Sequence, residues 1–114
     1  MPNFTAIRCY DRFHDIIELK QPFLKLFRQG GDFGSVFNDS WNQAEGYLSF
    51  AIRQRSYLKE EKGLEFENPR CVLLMGYNLS ELEIRNIREK ESMSRTVTVL
   101  TYNHLLKTAQ HLLH

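Results

Sequence analysis

A continuous apolar run, Cys71-Val72-Leu73-Leu74-Met75, set off by Pro69 before it and Gly76 after it, constrains this chain more than any other feature. A strand that alternates apolar with polar residues can keep one face wet. An unbroken run must be covered on both faces, which is the habit of a strand inside a parallel or mixed sheet. Parallel neighbours need long crossovers, usually helical, and the sequence supplies them. Ahead of the run, Trp41, Ala44, Leu48 and Ile52 form one apolar stripe of a helix that starts near Ser40 and carries a polar tail, Lys59-Glu60-Glu61-Lys62, into the stop signal Gly63. Behind it, Ser80 and Glu83 make a capping box that opens a helix through about Glu91. Thr96 to Leu100 is then a second β-branched strand. Thr101 caps a last helix, Tyr102 to Leu113, with Leu105, Leu106, Ala109, Leu112 and Leu113 on its apolar side.

The chain opens differently. Phe4 to Tyr10 and His14 to Lys20 are β-prone runs separated by Asp11-Arg12-Phe13, the spacing of a hairpin. From Phe23 to Asn38, glycines and scattered aromatics show no period, which reads as a long loop. The predicted order is ββαβαβα: a single α/β domain over residues 1–114 with a mixed sheet, whose helices are expected to cover only one face well. A formal net charge of +1 excludes a polybasic nucleic-acid binder, so any nucleic-acid contact would be a local groove. No apolar run approaches the length of a membrane span, and the opening Met1-Pro2-Asn3 lacks a signal peptide's pattern, so a cytoplasmic protein with no membrane partner is expected. Cys9 and Cys71 lack the spacing of a zinc or redox motif and read as buried, inert thiols.

Glu18-Leu19-Lys20 is the triplet that can carry chemistry. On a strand, residues i and i+2 share a face, so the carboxylate and the ammonium project together. A carboxylate can hold a divalent cation while a neighbouring lysine orients water or steadies charge on a phosphate. Glu60-Glu61-Lys62 shows the same pattern on a solvated helix end, but only Glu18 follows Ile16-Ile17 on a buried strand, where a charge needs a partner or a metal. The plainer reading of Glu18 and Lys20 is a salt bridge at a strand end. Gln43 and Tyr47 stand at i and i+4 on the long helix, off the apolar stripe, where they can position a nucleotide or water. Arg53, Arg55 and Lys59 form a modest basic helix surface able to meet phosphates. Asp11 and Asp15 are alternative carboxylates for a metal but read more simply as turn formers, and the four histidines read as surface residues.

Taken in order, Pro2-Asn3-Phe4, Glu18-Leu19-Lys20-Gln21-Pro22, Gln43-x-x-x-Tyr47, the Pro69 to Gly76 strand and Thr101-Tyr102-Asn103-His104-Leu105-Leu106 resemble the C-terminal nuclease domain of Shedu-type anti-phage proteins, in the PD-(D/E)xK nuclease superfamily. The resemblance implies a DNA endonuclease of bacterial defence that depends on Mg²⁺ or Mn²⁺. Carried over residue by residue, Glu18 would be a metal carboxylate, Lys20 the catalytic lysine, and Gln43 with Tyr47 the helix signature. Asn3 falls at the first metal position, where the family has Asp, so the resemblance implies an impaired or inactive site. His104 replaces the usual acidic residue of the closing helix, and Tyr77 stands where a basic residue is common.

The chain also begins at the motif hairpin, so it resembles a restriction-endonuclease-like core lacking its first helix and strand, a fragment or minimal homologue. Such a hairpin would expose an edge and apolar side chains such as Phe4 and Ile7, which predicts a homo-oligomer, most simply a two-fold dimer with the hairpin or its neighbouring helix at the contact. The second reading is a nuclease-derived module that binds nucleic acid or a protein without chemistry.

Overall fold

The structure is a computed structural model that describes residues 4–8 and 11–113. Its backbone forms a four-stranded mixed sheet with the strands side by side in chain order. β1 (Phe4–Ile7) and β2 (His14–Leu19) are the expected antiparallel hairpin, paired from Phe4 opposite Ile17 to Ile7 opposite His14. The ladder stops earlier than the β-prone runs suggest, because the Asp11 carboxylate accepts the Phe13 N–H at 2.9 Å and pulls the chain into a turn. Cys9 and Tyr10 lie outside the described residues. β3 (Cys71–Leu74) runs parallel to β2, and β4 (Val97–Leu100) parallel to β3. The unbroken apolar run thus lies in the sheet interior, with Cys71, Leu73 and Leu74 buried and Val72 half-buried.

The helices depart from expectation in three places. The helix expected from Ser40 begins at Ser35, so α1 covers Ser35–Arg53 and its buried stripe is Phe37, Trp41, Ala44, Leu48 and Ala51. Ile52, expected on that stripe, is 54% exposed because Ala51 takes the inward position of the last turn. The helix then breaks at Gln54 (φ −107°, ψ 28°), and α2 (Arg55–Lys62) redirects the chain so that Leu58 reaches the core before Gly63 ends it in the left-handed region. α3 (Glu81–Ser94) carries the complete Ser80–Glu83 capping box and runs to Ser94, three residues past the expected end. α4 (Tyr102–Leu113) starts under Thr101, whose hydroxyl accepts the His104 N–H at 3.3 Å. On its expected apolar side, Leu105 is 39% and Leu106 52% exposed, and Ala109 is exposed as well.

Register and alternation sort the sheet into two faces. Ile16 and Glu18 of β2, Cys71 and Leu73 of β3, and Val97 and Val99 of β4 share one face, and all are buried in the layer against α1. On the other face Leu74 is buried, Ile17, Val72 and Leu100 are half-buried and Leu19 is exposed. One well-covered face is what the small number of helices predicts. α3 closes the outer edge of β4: the Val99 N–H donates to Glu91 Oε2 at 2.6 Å, and Arg88 Nη1 donates to the Val99 carbonyl at 3.1 Å. The loop from Lys20 to Gly34 is less irregular than its sequence suggests. Leu26 and Phe27 turn inward, Phe27 bridges Phe33, and Phe33, Phe37 and Trp41 stack in series.

Candidate active site

Glu18 lies next to the C-terminal end of β2, on the face that α1 covers, and is 6% exposed. A carboxylate in such a place demands compensation, and the residue two positions on provides it: Lys20 Nζ stands 3.6 Å from Glu18 Oε1. The same ammonium donates to Gln43 Oε1 at 2.8 Å. Strand spacing therefore delivers the carboxylate and ammonium together, and the helical i, i+4 spacing brings Gln43 and Tyr47 to the same place. Burial raises the Tyr47 phenol pKa, and the negative charge of Glu18 raises it further, so the phenol keeps its proton and remains a donor at neutral pH. Cys71, fully enclosed on the adjacent strand, is pushed up to about 12 by burial first and then by Glu18 and Asp15. It is an inert thiol, as its isolation in sequence suggests.

The backbone at Lys20 is held from both sides. Its N–H donates to the Leu74 carbonyl at 2.9 Å, and its carbonyl accepts the Tyr102 hydroxyl at 2.5 Å. Tyr102 is the site residue that sequence reasoning missed. It stood in the closing Thr101–Leu106 motif of the family resemblance and at a helix start, and neither gave it a role beside Lys20. The structure also opens an apolar cavity of about 390 Å³ beside the site, lined by Thr5, Tyr47, Phe50, Leu58 and Phe66.

Asn3 lies outside the described residues. Asp11 forms the turn described above, but Asp15, expected as a turn former, lies in β2 opposite Ala6 and accepts the Arg70 N–H at 3.0 Å. The basic trio does not stay together as one surface. Arg55 and Lys59 line a hollow with Arg12 and Glu65, and Lys59 Nζ lies 3.8 Å from Glu65 Oε1, whereas Arg53 lines the apolar cavity with Tyr47. His14, expected at the surface, is half-buried: its Nδ1 accepts the Glu65 N–H at 3.2 Å and its ring lies 6.0 Å from that of Phe66. His104 and His111 are exposed as expected, and His114 lies outside the described residues.

Among the described residues, no three His, Cys, Asp or Glu side chains gather into a group that holds a metal by itself. Mg²⁺ does not require such a group, because it keeps several waters and is commonly bound by one or two carboxylates together with substrate phosphates. Glu18 supplies a carboxylate, the ligand type that this mode of binding uses. No helix among the described residues is long and apolar enough to cross a membrane.

No curated protein matches the chain. The family described as Shedu protein SduA, C-terminal, matches residues 4–106, a span that takes in the hairpin, Glu18, Lys20, Gln43, Tyr47, all four strands and the start of the last helix. The chain belongs to the Shedu protein SduA C-terminal family.

Proposed function

We propose that this domain is a metal-dependent DNA endonuclease of the PD-(D/E)xK type acting in Shedu defence, with its site at Glu18, Lys20, Gln43 and Tyr47. One observation carries the reading. A carboxylate is kept almost wholly out of water at a strand end, beside an ammonium that an amide on the neighbouring helix holds in place. A buried structural ion pair also takes such a third partner, and a site for phosphodiester hydrolysis requires one, because the lysine must be aimed. Glu18 would anchor the cation. When bound, Mg²⁺ or Mn²⁺ supplies Lewis-acid stabilisation of charge on the phosphoryl oxygens.

The chain's own residues do the rest. Lys20, held by its bond to Gln43, would turn its remaining N–H groups to a water or a non-bridging phosphate oxygen. Tyr47, held protonated, can donate to the phosphate or to the carboxylate. Gln43 is exposed, so the site opens to solvent and to a strand of DNA. Arg55 and Lys59 are the side chains that this reading assigns to backbone phosphates away from the cut. With Asn3 at the first metal position, activity is expected to be weak. The test is cleavage of plasmid and linear DNA in Mg²⁺ and in Mn²⁺ by the wild type, by Asn3→Asp and by Asn3→Asp combined with Glu18→Gln. The reading expects cleavage that rises with the restored carboxylate and vanishes with Glu18→Gln. Cleavage by none of the three forms, with DNA binding intact, favours the module without chemistry.

A further inference from the structure

We propose that Phe23, braced by Tyr77, is a stacking platform for an unpaired base of the DNA strand that enters the Glu18–Lys20 site, so that the preferred substrate has single-stranded character near the cut. The proposal rests on the nuclease reading of that site and adds the substrate class to it. Phe23 is 81% exposed although it lies on the segment leading directly out of the site, three residues beyond Lys20. A lone exposed phenylalanine means little, but this one is held in place. The Tyr77 ring meets it edge-to-face, with centroids 5.5 Å apart and an interplanar angle of 79°. Pro22 restricts the backbone just before it. Tyr77 follows Gly76, whose φ of +92° is open to few other residues and turns the chain at the end of β3. Both aromatics therefore stand where the parallel strands β2 and β3 end, which is also where Lys20 stands.

The segment around Phe23 alternates in a way that suits a single strand. Leu24 and Leu26 turn toward the core, while Phe23 and Lys25 are exposed, followed by exposed Arg28. No acidic residue occurs between Glu18 and Asp32, so beyond the Lys20–Glu18 pair the exposed Lys25 and Arg28 present only positive charge along this stretch. A π-face next to cations that track a phosphate backbone is how proteins hold unpaired nucleotides without reading their sequence, whereas the stacked bases of a duplex offer no face to such a ring. Phe23 acts here as a positioning residue, setting the strand so that a phosphate falls at Lys20.

Fluorescence anisotropy in EDTA, with a short dye-labelled oligothymidine and a blunt duplex of equal length, tests this on the full chain. Phe23→Ala is expected to weaken oligothymidine binding on the order of 5- to 100-fold and duplex binding much less. Phe23→Trp restores it, which a merely structural role would not predict. The exposure of Phe23 predicts an unchanged melting temperature for both variants. Unchanged oligothymidine affinity in Phe23→Ala, an equal loss on both probes, or no wild-type binding at about 100 μM, the weak end of non-specific affinity, overturns the proposal. Loss of single-strand binding in a chain that never cleaves DNA leaves the platform standing and removes the nuclease reading. Cleavage by a chain in which Phe23→Ala changes nothing does the reverse.

Discussion

Replacing Lys20 by methionine isolates the electrostatic centre of the candidate site without reference to catalysis. Methionine keeps much of the lysine stem's apolar bulk and removes the ammonium, leaving the Glu18 carboxylate, 6% exposed, without the charge 3.6 Å away. At an effective dielectric of about 20, a unit-charge pair at this separation is worth about 4–5 kcal/mol in Coulomb energy alone. Much of that is offset by the cost of desolvating the pair, and the Lys20 side chain is 22% exposed, so water screens part of the rest. The bond to Gln43 is also lost, but Gln43 is exposed and water replaces it. The expected net loss is about 1–2 kcal/mol, or about 4–8 °C in melting temperature for a chain of this length. Urea unfolding at pH 7 of the wild type, Lys20→Met, Glu18→Gln and the double variant measures it. The two single losses should fail to add, with a coupling of about 1 kcal/mol. A coupling below about 0.3 kcal/mol, within the scatter of independent sites, would mean that Glu18 is compensated by something other than Lys20 and that the ammonium is not held for use.

Cys71, with its thiol pushed up to about 12, binds its proton more tightly folded than unfolded. That stability is intact below about pH 9 and drains as pH rises toward 12, at up to about 1.4 kcal/mol per unit. Urea midpoints between pH 8 and pH 10.5 should therefore fall more steeply in the wild type than in Cys71→Ala, and parallel slopes would refute the assignment. Asn3→Asp should raise Mg²⁺ or Mn²⁺ affinity by about tenfold or more through a second carboxylate, and calorimetric titrations showing equal, negligible binding in both forms count against the metal site. The half-covered sheet face, the 67% exposed Ile7 and the unburied leucines of α4 lead us to expect a two-fold dimer that Ile7→Asp weakens. Sedimentation at micromolar concentration giving a stable 13.5 kDa species would rule that out.

Local features were legible wherever the physics is local. The Ser80–Glu83 box is satisfied within one helical turn, so its residues announce it. The apolar run at Cys71 to Met75 has one environment that suits it, the inside of a sheet. The i, i+2 step on β2 and the i, i+4 step on α1 each put two side chains on one face before anything is known of the fold. Family resemblance then pointed to Glu18, Lys20, Gln43 and Tyr47 as a set.

Tertiary structure decided what those steps face. No pattern in the chain states that the Lys20 ammonium spans to Gln43, twenty-three residues away, or that the Tyr102 hydroxyl, eighty-two residues on, takes the Lys20 carbonyl. The first exists because α1 packs across the β2–β3 face, and the second because β2, β3 and β4 end together in parallel register, a property of the assembled sheet. The break at Gln54 belongs to the same class: the sequence reads as one helix from about Ser40 to Lys62, whereas the folded chain bends at Gln54 and α2 carries Leu58 into the core. The apolar stripe of α4 shows the converse. Its amphipathic pattern is as clear as that of α1, yet α1 found the buried face of the sheet and α4 did not, because periodicity tells which side of a helix wants cover and only packing tells whether the chain provides it.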